Sequence, residues 1–223
     1  MTMHGFAKDM EFYPISVSED SLTLELRDTP ETHQRFPYAF SLQVAYRLEE
    51  NRVVQSIRVE NTGEKPLFFG LGLHPGFYCP IDLDEGASDY ILQFNCPQTL
   101  RKIVLDPVTR LCTHRRLSWI TQTSEIPLNE GFFDEGPFTT EGYTADSVCL
   151  FSRKSGRYLR MGISGFPFVT YWGNPGQMNL ICIEPWCGLS DDMDSNHVWE
   201  EKAGNTRLNP KEVWTRKLWF EMG

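Results

Sequence analysis

The sequence predicts an all-β fold of antiparallel strands, arranged as a sandwich or a barrel. Three observations lead to this prediction. Apolar and polar residues alternate with a period of two, turn-forming residues separate the alternating stretches, and almost no window shows the 3.6-residue period of a helix. Alternation of this kind places one face of each strand on a core. We therefore expect a single β domain that spans residues 1–223.

The alternation is clearest in four stretches. In the first of them, Leu22, Leu24 and Leu26 are predicted to share one face. The four predicted strands are Ser21–Arg27, Phe40–Leu48, Arg52–Asn61 and Val213–Glu221. The turn signals along the chain are Asp28–Pro30, Asn61–Gly63, Asp84–Gly86, Lys154–Gly156 and Asn174–Gly176. The weak helix candidates are Gln98–Val104 and the stretch around Leu128.

Three segments break the alternation and are predicted to be apolar or aromatic strands that end at loops. They are Leu67–Phe77, Phe168–Gly173 and Asn179–Trp186. In the last segment Glu184 follows Leu-Ile-Cys-Ile, where a buried and unpaired carboxylate would cost several kcal/mol. The alternative is that Glu184 points to solvent by simple alternation. Pro185 ends the strand and places the glutamate at a rim, where loops build sites.

His74 is a second candidate for chemistry. It follows a glycine-rich strand, and the Pro-Gly dipeptide after it turns the chain away, so the imidazole is predicted at a strand mouth. There it could act as a general acid or base, whereas a structural strand-end histidine is the alternative. His4 and Asp146 are unremarkable taken singly, and Asp146 would be a turn residue before a predicted strand over Val148–Ser152.

Composition and charge exclude several classes of protein. The 223 residues carry 21 Lys and Arg against 30 Asp and Glu, and the net charge of −9 argues against a nucleic-acid partner. No stretch reaches the roughly 18 apolar residues of a membrane span, so we expect no membrane partner. The N-terminus lacks the pattern of a secretory signal. The six cysteines show no CxxC spacing, and several sit beside apolar residues in strand-like runs. This favours reduced thiols and a cytoplasmic location over a disulfide framework.

Three segments occur in the order seen in aldose 1-epimerases, the galactose mutarotase-like proteins. They are His4-Gly5-Phe6-Ala7-Lys8, Leu73-His74-Pro75-Gly76-Phe77 and Cys182–Asp191, which reads CIEPWCGLSD. The chain most resembles the LacX-type branch of this family, with its HGFAR, HPxF and IEPWxG segments. The resemblance covers essentially the whole chain, and IEPWxG with HPxF upstream is its most specific part.

The resemblance implies a galactose mutarotase-like β-sandwich with an open sugar cleft. It implies that Glu184 is the general base and His74 the general acid. It also implies that His4 binds substrate and that Asp146 contacts the sugar. In addition, Trp172 or Trp186 could offer an apolar wall to the sugar ring.

The sequence departs from the family pattern at two points. Lys8 stands where HGFAR has an arginine. A planar guanidinium that can donate two parallel hydrogen bonds is thus replaced by an ammonium group, which acts as a point charge. Family members usually carry several strands before this motif, whereas this chain starts three residues ahead of His4. We therefore expect a sandwich that lacks N-terminal strands, with an exposed edge that a homodimer would cover.

The predicted function is interconversion of the α and β anomers of a free aldohexose by acid–base ring opening. The mechanism requires no cofactor and no metal, because neither proton transfer needs a Lewis acid. Two alternatives stay open. The protein could be a non-catalytic carbohydrate-binding protein on the same fold, or a hexose-6-phosphate 1-epimerase. The latter would require basic residues near the cleft, and the pairs Arg101-Lys102 and Arg115-Arg116 do not decide this from sequence.

Overall fold

A computed structural model of the chain describes residues 4–223. Strands make up 52% of the structure and helices 6%, and the strand pairs within each unit are antiparallel. This confirms the predicted all-β fold. The chain divides into two compact units: residues 4–69 with 206–221, and residues 70–205 with 222–223. Whether the two units act as one domain over residues 1–223 stays a prediction.

The first unit is a twisted sheet with the strand order β1-β2-β3-β4-β16, together with a two-stranded ladder of β5 and β15. The strands are β1 (Tyr13–Val17), β2 (Ser21–Arg27), β3 (Phe40–Glu49), β4 (Arg52–Asn61), β5 (Leu67–Phe69), β15 (Thr206–Leu208) and β16 (Val213–Met222). A short helix α1 (Pro30–His33) begins at the predicted turn Asp28–Pro30, where Thr29 and Thr32 form a capping box. A 3-10 turn covers Ala7–Asp9.

Side chains from alternate positions of these strands form the core of the first unit. Leu26 of β2, Ile57 of β4 and Leu218 of β16 are buried there, and the Phe69 and Trp214 rings make an edge contact at 5.4 Å. Strand β1 is the outer strand of the sheet, and all five of its residues are exposed. The first unit therefore has a buried centre and an apolar exposed edge.

The second unit is a larger sheet with the strand order β12-β11-β8-β10-β13-β14. The short strands β6 and β7 both pair with β14, and β9 pairs with β8. The strands are β6 (Leu71–Gly72), β7 (Gly76–Tyr78), β8 (Tyr90–Leu105), β9 (Cys112–Pro127), β10 (Phe138–Glu141), β11 (Ser147–Ser152), β12 (Tyr158–Gly162), β13 (Phe168–Gly173) and β14 (Leu180–Cys187). Two 3-10 turns cover Ala87–Asp89 and Trp199–Glu201.

One helix candidate is corrected by the structure. Residues 98–104 lie inside β8, between β9 on one side and β10 on the other. Irregularities in the β8–β9 register occur between Gln93 and Arg101 and again near Leu105. Because such bulges disturb the period of two, the window does not resemble a strand in sequence. The stretch around Leu128 is also not helical, and Leu128 is buried beyond the end of β9.

Two further properties bear on location. No helix within residues 4–223 is both long enough and apolar enough to cross a membrane. The six cysteines form no disulfide bond within the part of the chain that the structure describes, and five of them are buried. The cytoplasmic location stays a prediction.

Candidate active site

The two faces of β14 differ in character. Ile181 and Ile183 are fully buried on one face. The intervening residues Cys182, Glu184 and Trp186 project from the opposite face, because successive side chains of a strand alternate. Strand β14 is mostly apolar because both of its faces are largely buried. Glu184 is therefore not a solvent-facing residue of a half-exposed strand.

The segment between β6 and β7 places His74 directly across from Glu184. Gly72 pairs with Trp186 and Gly76 pairs with Cys182, so position 74 lies opposite position 184. Two backbone hydrogen bonds hold this register. The Leu73 N–H donates to the Pro185 carbonyl at 3.1 Å, and the Ile183 N–H donates to the Pro75 carbonyl at 3.3 Å.

The two side chains meet. His74 Nε2 lies 3.2 Å from Glu184 Oε1. The Glu184 side chain is only 2% exposed, whereas that of His74 is 44% exposed. The pair therefore joins a buried carboxylate to an imidazole that solvent or a ligand can reach.

Burial sets the acidity of the carboxyl group. Loss of solvation raises the pKa of Glu184 from 4.5 to about 7, and a hydrogen bond from the Trp186 side chain to the carboxyl group opposes this shift to a smaller extent. The second oxygen, Oε2, is buried without a hydrogen-bond partner among the residues that the structure describes. An unpartnered buried oxygen is costly, and such groups are rare in folded proteins. The arrangement keeps a basic oxygen ready for a proton.

Aromatic side chains surround this pair. Trp172 of β13 lies opposite Cys182 in the register, and its ring contacts the His74 ring at 6.3 Å in an edge arrangement. Trp186 packs over the backbone of Gly72, where an added Cβ would lie 2.5 Å from the indole. A flat, half-buried indole of this kind suits a sugar ring, because it offers apolar area with little entropy loss.

Two threonine hydroxyls lie on the same face of the sheet as Glu184, on the two strands that precede β14 in the sheet order. Thr170 of β13 is the cross-strand partner of Glu184, and Thr139 of β10 is the partner of Thr170. Their hydroxyls are 2.7 Å apart and both residues are buried. The face next to the pair thus carries two short polar side chains that are already hydrogen-bonded to each other.

The structure brings three of the predicted site residues together, namely His74, Trp172 and Glu184. Asp146 is exposed just before β11, and its backbone N–H donates to Asn95 Oδ1 at 3.0 Å. This hydrogen bond involves only the backbone of Asp146. The contact of the Asp146 carboxylate with the sugar therefore stays a prediction. His4 belongs to the first unit, where it is exposed with a left-handed φ of 65°. Its substrate-binding role also stays a prediction.

Cys182 and the Thr139–Thr170 pair were not predicted from the sequence. A cysteine in an apolar run resembles a small core residue. The spacing of two between Cys182 and Glu184, which puts both on one strand face, was the available signal. Thr139 and Thr170 meet only through the pairing of β10 with β13, which no local pattern indicates.

Comparison with known proteins decides the family. The family model for aldose 1-epimerase matches residues 1–221. The chain belongs to the aldose 1-epimerase family. Two curated relatives, the plasmid and chromosomal forms of protein LacX from Lactococcus lactis subsp. lactis, are each 30% identical over 212 residues. The alignments cover 94% of this chain and 71% of each LacX protein.

Solved structures show the same fold. A galactose mutarotase related enzyme from Lactobacillus acidophilus superposes with a TM-score of 0.91 at 28% identity, covering 99% of this chain and 73% of that one. A galactose mutarotase-like protein from Lactobacillus casei gives a TM-score of 0.88 at 27% identity, covering 100% of this chain and 76% of that one. The predicted galactose mutarotase-like fold and the resemblance to this family are therefore confirmed.

Proposed function

We propose that this protein is an aldose 1-epimerase that interconverts the α and β anomers of a free aldohexose. Membership of the aldose 1-epimerase family supports the reaction class. One observation assigns the reaction to particular residues. Glu184 Oε1 of the buried carboxylate lies 3.2 Å from His74 Nε2.

The reaction needs two proton transfers at oxygens that share one carbon. The Glu184 carboxylate removes the proton of the C1 hydroxyl, and protonated His74 donates to the ring oxygen. The bond between C1 and the ring oxygen breaks as the C1 carbonyl forms. Both oxygens are bonded to C1 and lie close together, so an acid and a base 3.2 Å apart can serve them at the same time.

Ring closure reverses these transfers. After rotation about the C1–C2 bond, His74 removes the proton from the former ring oxygen as that oxygen attacks the opposite face of C1. Glu184 returns its proton to the carbonyl oxygen. Each residue ends in its starting state, so the cycle consumes no co-reactant and needs no cofactor. A carboxyl group whose pKa is about 7 is well matched to this exchange at neutral pH.

Other residues of the second unit have supporting roles in this proposal. Trp172 forms an apolar wall beside His74, and Asp146 holds a ring hydroxyl. The partner molecule is a small sugar, and neither a nucleic acid nor a membrane is involved.

The two alternative functions have less support. A protein that only binds carbohydrate has no use for a matched acid and base 3.2 Å apart. A hexose-6-phosphate epimerase would need a cationic group near the pair. Arg101 and Arg116 both form ion pairs with Glu141, at 2.8 and 3.3 Å. They lie three and four strands from β14, so their backbones are ~14 Å or more from that strand at the usual strand spacing.

The proposal is tested by following mutarotation directly. Freshly dissolved α-D-glucose and α-D-galactose are monitored by NMR with and without protein, and the spontaneous rate is subtracted. We expect the wild-type protein to accelerate equilibration of at least one sugar, and Glu184→Gln to abolish most of this acceleration. A wild-type protein that binds sugar without accelerating equilibration would favour the carbohydrate-binding alternative.

A further inference from the structure

A third side chain joins the acid–base pair. The ligand atoms of His74, Cys182 and Glu184 all lie within 4.8 Å of one another. We refer to these three residues as the His-Cys-Glu cluster. The proposed proton transfers use His74 and Glu184 and leave Cys182 without a role. Cys182 is only 3% exposed, and its sulfur projects from the same face of β14 as Glu184.

The donor set identifies the kind of ion that would fit. One imidazole nitrogen, one thiolate sulfur and one carboxylate oxygen match the ligands that Zn²⁺ takes in proteins. Ca²⁺ and Mg²⁺ prefer oxygen ligands and do not suit a site with a thiolate and an imidazole. The cluster thus has the chemistry of a three-ligand zinc site with one open position.

The geometry needs little change. At zinc–ligand distances of about 2.0–2.3 Å, tetrahedral coordination separates the ligand atoms by ~3.3–3.6 Å. His74 Nε2 and Glu184 Oε1 are already 3.2 Å apart, and the third atom lies within 4.8 Å of both. Small side-chain rotations therefore bring the sulfur into range.

Two features of the surroundings favour a cation here. Glu184 Oε2 is buried with no hydrogen-bond partner among the described residues, and a metal ion would compensate its charge. Gly76 faces the sulfur, and an added Cβ at that position would lie 3.1 Å from Cys182 Sγ. The absence of a side chain at position 76 leaves space around the thiol. The ion would enter past His74, whose side chain is 44% exposed.

We propose that the His-Cys-Glu cluster binds Zn²⁺ reversibly and that the bound ion blocks the acid–base pair. Binding converts the Cys182 thiol to a thiolate and releases its proton to solvent as the sulfur–zinc bond forms. The ion occupies the His74 nitrogen and the Glu184 oxygen that the sugar would use, so zinc and sugar compete. Binding itself does not depend on the proposed function, whereas the inhibition rests on it.

The test compares two buried cysteines of one strand. Cys182→Ser removes the soft ligand of the cluster. Cys187→Ser is the matched control, because Cys187 is 5% exposed and lies on the opposite face of β14. The protein of residues 1–223 is treated with a chelator and titrated with Co²⁺, which reports a sulfur ligand through a thiolate-to-cobalt absorption band. Zn²⁺ affinity is measured by calorimetry, with Mg²⁺ as the negative control.

We expect one metal ion per chain, with a thiolate band in the wild type and in Cys187→Ser. Cys182→Ser should lose the band and bind Zn²⁺ at least about tenfold more weakly. Wild-type protein without a thiolate band, or a band that survives in Cys182→Ser, would overturn the proposal.

Inhibition is measured separately, as the Zn²⁺ concentration that halves the mutarotation rate. This concentration should rise with sugar concentration in the wild type, and it should be at least about tenfold higher in Cys182→Ser. Inhibition that does not depend on sugar concentration would overturn the competition. If the wild type shows no mutarotation, the proposed function fails, while the cobalt titration still decides whether the metal site exists.

Discussion

Glu184 Oε1 and His74 Nε2 lie 3.2 Å apart because the backbone on both sides of His74 is hydrogen-bonded to β14. His74 is not itself a strand residue. The short strands β6 and β7 fix the two ends of its segment at Gly72 and Gly76. The acid and the base of the proposed reaction are thus positioned by main-chain register, with side-chain packing as a secondary support.

The first prediction concerns the coupling of this pair. Glu184→Gln and His74→Asn should each lower kcat by about 10²–10⁴-fold, the usual contribution of general acid–base catalysis. The double variant should be only slightly slower than either single variant, because the two groups act in one step. NMR mutarotation assays on all three variants measure this. Multiplicative losses would mean that the two residues act independently.

The second prediction concerns pH. The proposed base must be ionised, and burial raises the pKa of Glu184 to about 7. We therefore expect kcat/KM to rise with pH as this carboxyl group ionises, up to about pH 7. Assays between about pH 5 and 8, corrected for the spontaneous reaction, measure this limb. A value that stays constant over that range would argue against Glu184 as the base.

The third prediction concerns stability and needs no assay of activity. Because the pKa of Glu184 is raised on folding, the folded state binds the proton more tightly than the unfolded state, and its stability falls as pH rises from 4.5 through about 7. Glu184→Gln removes this loss. The variant should be more stable than the wild type by about 1–3 kcal/mol near pH 8, and the difference should shrink near pH 5.

Urea unfolding at the two pH values measures this difference. Glu64→Gln serves as the control, because the Glu64 side chain is 87% exposed and should change stability little at either pH. A Glu184→Gln protein that is less stable than the wild type near pH 8 would contradict the cost assigned to the buried carboxylate.

The fourth prediction concerns the aromatic wall. Trp172→Ala should raise KM for the sugar about tenfold, which corresponds to about 1.4 kcal/mol of lost contact with the ring. The decrease in kcat should be smaller, because Trp172 donates and accepts no proton in the reaction. Trp172→Phe retains a flat face and should retain most of the affinity. Steady-state kinetics on both variants decide the point, and an unchanged KM in Trp172→Ala would remove this residue from the binding surface.

The fifth prediction concerns the exposed edge of the first unit. Tyr13, Ile15 and Val17 of β1 are 60%, 50% and 72% exposed, and an apolar edge strand favours pairing with another chain. We propose that a second copy of this chain pairs with β1. Val17→Lys should therefore shift the protein toward monomer in light scattering. Val108→Lys changes an 87% exposed valine in the β8–β9 turn and should have no effect. A wild type that is monomeric at all concentrations would contradict this.

Much of the fold was predictable because many strands bury one face. The strands over Ser21–Arg27 and Arg52–Asn61 match their predicted bounds, and the predicted turns Asp28–Pro30 and Asn61–Gly63 lie at their C-terminal ends. The prediction of a helix candidate over Gln98–Val104 was wrong. Bulges there interrupt the alternation of apolar and polar residues that identifies a strand. Local pattern indicates a strand only where pairing is regular.

The sequence identified candidate residues of the site, but it did not indicate how their side chains are arranged. The position of Glu184 in an apolar strand pointed to a held carboxylate, and its burial removes the solvent-facing alternative. The contact with His74 depends on the pairing of β6 and β7 with β14, which has no local signal. Cys182 was missed for a different reason: its spacing of two from Glu184 was a local signal, but a cysteine in an apolar run resembles a small core residue.

The main-chain bonds that flank His74 also make the assembly of this site observable without substrate. The amide protons of Leu73 and Ile183 are engaged only while the segment is docked on β14. Their exchange with deuterium should be slow and should report one opening free energy, because both bonds break when the loop leaves β14. Fraying of this loop would separate the proton donor from the acceptor, so the opening free energy read from these two amides sets the fraction of molecules competent to react.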